Sequence, residues 1–189
     1  MRFEIIKQNL LSKLENLDAR LIYHNIQHTL DVLEQAGRIA AEEKISAKKE
    51  LYLLKLAALY HDSGFLKNYE GHEEVSCKIF LGDAPAFGLS ETEIKLVQQL
   101  IMATKITNEP KTILEKILRD ADLDYLGRND FSTIACLLKK ELLSYKFIAT
   151  NNDWSKRQLA FLETHHYYTK SSQLTREPVK QQNLQALIK

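Results

Sequence analysis

Residues 51–60 read LYLLKLAALY, one charge in ten positions, and run directly into His61-Asp62. A helix that is apolar on nearly every side is stable only where other elements surround it, so the rest of the chain must fold around this segment. Its end carries two polar groups into that interior. A buried carboxylate is costly unless it is paired or bound to a metal. The helix dipole favours a cation at a C-terminus and disfavours an acid, so it accounts for His61 and leaves Asp62 unexplained.

The remainder of the sequence has helical periodicity and no strand-like alternation. Helices are predicted over about 2–18, 25–43, 47–62 and 72–82, with a loop from Ser63 to Gly71. Ser90 with Glu93 forms a capping box that opens a helix to about Thr104. A further helix starts at Thr107-Asn108-Glu109-Pro110 and runs to about Tyr125, closed by Gly127. Then follow segments at about 130–148, about 153–168 and from about Thr175. The expectation is an all-α, single-domain helical bundle over 1–189, with a core at about 20–130 and C-terminal helices at about 130–189 packed on it.

Charge and composition exclude several roles. The net charge is +1, with 26 basic residues spread among 25 acidic ones, which argues against a nucleic-acid partner bound through a broad basic surface and leaves room only for a local patch. Cys77 and Cys136 are far apart and lack a CxxC spacing, and both read as buried thiols of a reducing compartment. The first residues alternate charges with Ile5, Ile6, Leu10 and Leu14 at helical spacing, unlike a signal peptide, and no apolar run reaches membrane-spanning length. A cytoplasmic protein without a membrane partner is expected.

Three clusters place polar residues on apolar faces. In Tyr23-His24-Asn25-Ile26-Gln27-His28, Asn25 can cap the following helix, leaving His24 at its entrance and His28 one turn inside. Alone, His28 reads more readily as a core histidine bonded to backbone than as a metal ligand. His61-Asp62 is the second cluster. The third is Arg119-Asp120-Ala121-Asp122-Leu123-Asp124-Tyr125. Asp122 has Leu118, Tyr125 and Leu126 as helical neighbours and is the better buried ligand. Asp120, with Lys116 four residues before it, is expected to pair with that lysine, and Asp120 and Asp124 can equally form a solvated acidic helix end. Together His28, His61, Asp62 and Asp122 offer two imidazoles and two carboxylates. That mixed set suits an open divalent site for Mn, Fe, Ni, Co, Zn or Mg, with positions left for water and substrate.

The ordered set His28, His61-Asp62 and Asp122 resembles the HD-domain superfamily of metal-dependent phosphohydrolases over about residues 20 to 130. The resemblance implies an all-α bundle that hydrolyses phosphate mono- or diesters on one or two divalent ions, and it favours a nucleotide as substrate. The stretch YHNIQHTLDV is locally similar to the motif of cyclic-nucleotide phosphodiesterases, which implies that His24 protonates the leaving group and His28 binds metal. Departures from other branches narrow the substrate. Ser63-Gly64-Phe65-Leu66 replaces the acidic pair of the (p)ppGpp hydrolases, and no GYP loop is present. No histidine falls in Ile101-Met102-Ala103-Thr104, so one tightly bound metal is expected, with a second weak or absent.

In that scheme His28, His61 and Asp122 hold the metal, Asp62 binds it and also orients or deprotonates the water, and His24 is the general acid. His72 either lines the pocket or is a surface residue at a helix start, and Lys67 is either a phosphate contact or solvated. His165-His166 reads as packing or surface. Two alternatives belong to other classes: an HD-type di-iron oxygenase, and a catalytically silent module that binds a nucleotide. The apolar residues of the last helices, such as Phe161, Leu162 and Leu187, either pack within the chain or form a homodimer.

Overall fold

The computed structural model describes residues 2–188, and among these there are ten α-helices and no strand. They are α1 (Phe3–Leu14), α2 (Ile26–Glu42), α3 (Lys48–Tyr60), α4 (His72–Asp83), α5 (Glu91–Ala103), α6 (Ile113–Asp122), α7 (Phe131–Ser144), α8 (Asn151–Thr164), α9 (Lys170–Thr175) and α10 (Glu177–Ile188). Short 3-10 turns cover Ser63–Leu66, Ala84–Phe87 and Asp124–Gly127.

Helix α3 is the centre of the fold. Leu53, Leu54 and every residue from Leu56 to Tyr60 are at most 2% exposed. It is surrounded by α2, α5 and α6, and apolar residues of α1 and α4 complete the same cluster. A second apolar cluster is built from α7, α8 and the turn after α6, with Tyr23 reaching into it. The entrance of α2, the end of α3 and the end of α6 therefore converge at the border between the two clusters.

Local sequence explains most of the helix starts. Asn25 caps α2 by accepting from the N–H groups of Gln27 and His28. Ser90 and Glu93 form the expected capping box of α5. The helix expected from about Thr107 begins instead at Ile113, because Thr112 and Glu115 form a capping box of their own. That helix ends at Asp122 and gives way to a 3-10 turn. Helix α8 stops at Thr164, where His165 turns extended, rather than near 168. The following residues are drawn onto α6: the backbone N–H groups of Tyr168 and Thr169 donate to Asp120, at 2.9 and 2.7 Å. The C-terminal helix expected from about Thr175 is α10, and a short helix that was not expected, α9, precedes it and is capped by Thr169.

Three further expectations differ from the structure. Cys136 is exposed on α7, whereas Cys77 is buried. Asp120 and Asp124 are both fully buried, so this helix end is not a solvated acidic patch. Asp120 does not pair with Lys116, because the N–H groups and the Thr169 hydroxyl after α8 satisfy it. Asp124 accepts from Arg38 at 2.6 Å and Arg176 at 2.8 Å, with Arg128 at 3.8 Å, which ties α2 and the α9–α10 junction to the same carboxylate.

Candidate metal centre

The end of α3 places His61 fully out of solvent. Its Nδ1 lies 2.8 Å from the carbonyl oxygen of Ala58, one turn back. A carbonyl can only accept, so Nδ1 carries the hydrogen and the lone pair of Nε2 points the other way. There it meets Nε2 of His28, 3.4 Å distant, from the first turn of α2. Asp122, at the last residue of α6, brings Oδ1 to 3.1 Å from His28 Nε2 and 3.5 Å from His61 Nε2. Donor atoms of His28, His61 and Asp122 all lie within 4.8 Å of one another.

Asp62 closes the group. Its Oδ2 is 3.3 Å from His28 Nε2 and 3.2 Å from His61 Nε2, yet it is buried without a properly aligned hydrogen bond. An orphaned buried carboxylate oxygen facing two imidazole nitrogens is what a missing cation would leave. Without an ion, burial pushes the His28 imidazole down, but Asp122 and Asp62 outweigh it and raise its pKa to about 9. The Asp122 carboxyl is held below its usual range: burial pushes it up, and bonding to His28 and His61 wins. The donor set thus already demands positive charge at its centre, and two imidazoles with two carboxylates fit a divalent ion.

His72 is the first residue of α4, not a surface residue. Its Nδ1 lies 3.0 Å from the carbonyl oxygen of Tyr69, and its Nε2 faces Asp62 Oδ1 at 3.4 Å. This approach depends on Gly64: a Cβ there would lie 1.9 Å from the carbonyl oxygen of His72. The Gly64 N–H also donates to the Ser76 hydroxyl of α4 at 2.8 Å, so the turn after Asp62 is pinned against that helix. Phe65 stacks on His24 and on His72, with ring centroids 4.3 and 4.0 Å apart. Lys67 is exposed at the end of the turn and does not line the cavity beside the centre.

His24 stands at the cavity wall with its Nδ1 against Glu141 of α7. Sequence reasoning missed Glu141. This carboxylate is fully buried and also accepts from the backbone N–H groups of Tyr23 and His24, at 2.9 and 3.0 Å, and from the Tyr69 hydroxyl at 2.9 Å. Burial pushes its carboxyl up, but the His24 bond and these N–H groups outweigh that and hold it below the usual range. An ionised Glu141 supplies the countercharge that a protonated His24 needs, and it leaves Nε2 as the free ring nitrogen.

The HD domain family model matches residues 25–124, more than half of the chain, and takes in His28, His61, Asp62 and Asp122. The protein belongs to the HD-domain family. Its fold is similar to that of a solved structure described as a predicted HD superfamily hydrolase from an uncultured Thermotogales bacterium, at 21% identity and a TM-score of 0.63, covering 100% of this chain and 96% of that one. It is equally similar to the Lin1889 protein from Listeria innocua, at 20% identity and a TM-score of 0.63, covering 100% and 97% of the two chains. No curated protein matches the sequence. Family membership supports a hydrolase, and no helix of the described residues is long and apolar enough to cross a membrane.

Proposed function

We propose that the protein is a metal-dependent phosphohydrolase that cleaves a phosphate mono- or diester with water. The observation that carries this reading is the orphaned Asp62 Oδ2 facing Nε2 of His28 and His61, with Asp122 beside them. A single divalent ion held by His28, His61, Asp62 and Asp122 would supply Lewis-acid activation of water and neutralise charge at phosphorus. The resemblance to HD phosphohydrolases favours nucleotides among the phosphate esters.

The chain's own residues divide the remaining work. Asp62 orients the attacking water and takes its proton. As the water oxygen bonds to phosphorus, the ester P–O bond breaks, and His24 gives its Nε2 proton to the leaving oxygen. Glu141 fixes the His24 ring from the opposite side, so that the proton is presented from one nitrogen only. His72, across Asp62 from the two ligand histidines, is placed to contact the substrate.

The test is hydrolysis of phosphate mono- and diesters by metal-stripped protein, with Mn, Fe, Ni, Co, Zn or Mg restored singly. Turnover that appears with one of these ions and disappears in Asp62→Ala supports the reading. Absence of turnover with every ion, across nucleotides, cyclic nucleotides and aryl phosphates, would contradict it.

A further inference from the structure

A cavity of about 610 Å³ runs from Asp62 and Asp122 into the second apolar cluster. Its inner walls are Leu123, Phe131, Leu142, Trp154, Phe161 and Leu162. Of these, Phe131 and Leu142 are 5% exposed, Trp154 is 8% and Leu162 is 0%, so they are core residues by burial. Yet they enclose space instead of filling it. Protein interiors pack to crystal-like density, and core side chains left facing a hollow forfeit contacts. A hollow of this size, aromatic on several sides, has the dimensions and character of a small-molecule site.

The charges on the wall limit what enters. Four carboxylates line the cavity, Asp62, Glu70, Glu73 and Asp122, against two cations, Lys105 and Arg157. Lys105 is already engaged by Glu74. A divalent ion and Arg157 can balance one phosphate. The His24 and His72 imidazoles on the same wall already face Glu141 and Asp62, so a di- or triphosphate would bring further negative charge to a surface rich in carboxylates. Deeper in, the walls are apolar, and a charged or strongly hydrated group placed there would lose its water without replacement.

We propose that this site takes a monophosphate ester of an uncharged, largely apolar alcohol or phenol, with its phosphate beside Asp62 and Asp122 and its organic part in the chamber under Trp154. This rests on the phosphohydrolase reading and narrows its substrate, away from the polyphosphate nucleotides that the family resemblance leaves open.

Trp154 is the only tryptophan of the chain and stands in the chamber wall, so its fluorescence reports directly on occupancy. Wild-type protein with Mg is titrated with methylphosphonate, benzylphosphonate, 4-phenylbutylphosphonate, AMP and ATP, none of which requires turnover to be read. Affinity is expected to rise along the phosphonates, by about fourfold for each added methylene that is buried, with a Trp154 response and with ATP the weakest of the larger ligands. A flat series, AMP or ATP binding more tightly than every arylalkylphosphonate, or no Trp154 response to any of them would overturn the proposal. Hydrolysis of the matching phosphate esters is followed on the same sample. A rising series without hydrolysis keeps the apolar chamber and removes the hydrolase reading, whereas nucleotide hydrolysis with a flat series does the reverse.

Discussion

At the scale of single residues, His24 and Glu141 separate catalysis from metal binding. His24 is held by Glu141 and is not among the grouped metal donors, so His24→Ala should keep the metal and lose turnover. The loss should be on the order of 10²–10⁴-fold for an alkyl ester and smaller for p-nitrophenyl phosphate, whose leaving group needs no proton. Equal losses on both substrates would contradict the general-acid role. Glu141→Gln should lower kcat by about 10–100-fold through the ring it orients. It should also alter acid stability. The folded Glu141 carboxyl is held below its unfolded value, so its contribution is present above the ordinary carboxylate range and is lost as pH falls through the lowered value. Urea midpoints between pH 7 and 3 should therefore fall less steeply in Glu141→Gln than in wild type. His28, His61, Asp62 and Asp122 were legible in the sequence because each breaks an apolar pattern. Glu141 was not, since it follows Lys139-Lys140 and resembles a solvated charge run, and its partner lies 117 positions away.

At the scale of elements, the turn after Asp62 sets the position of α4 and with it His72. Gly64→Ala must move backbone, because the added Cβ meets the His72 carbonyl and not a flexible side chain. It should destabilise the fold by about 1–3 kcal/mol, as overpacking does, and lower activity at the same time. Gly82→Ala, in α4 with nothing within 4 Å of its added Cβ, should instead be neutral or stabilise by up to about 1 kcal/mol. Thermal unfolding of the two variants makes the comparison; similar midpoints would contradict the close-packing argument. Helices with a local start signal were readable, as at Asn25 and Ser90. The start of α6 was misplaced because Pro110 competes, as a helix opener, with the Thr112–Glu115 box that the chain uses. The end of α8 and the start of α9 were not readable, since the residues between them are held by bonds to Asp120 on a distant helix.

At the scale of the whole molecule, two buried carboxylates fasten the C-terminal helices to the helices that carry the site. Asp124 joins Arg38 of α2 to Arg176, beside which the backbone of Gly127 packs so closely that an added Cβ would lie 2.4 Å from the Arg176 carbonyl oxygen. Asp124→Asn leaves these partly exposed guanidinium groups without their shared counter-charge, although Arg38 keeps Glu42, and should cost about 1–3 kcal/mol in chemical unfolding, with metal content unchanged in the folded protein. A change below about 1 kcal/mol would show that the arginines are adequately solvated without it. Such long-range pairings explain why Asp120 and Asp124 read locally as a solvated helix end and are in fact interior. The all-α architecture, in contrast, followed from helical periodicity without strand alternation along the chain, and the central place of α3 followed from its nearly continuous apolar surface.

The most direct test is the metal content of purified wild-type protein beside Asp62→Ala, by elemental analysis with no metal added. About one divalent ion per wild-type chain, lost in the variant, is the expected result. No ion in either protein, and none taken up on titration with Mg and Mn, would contradict the metal centre and with it the hydrolase reading.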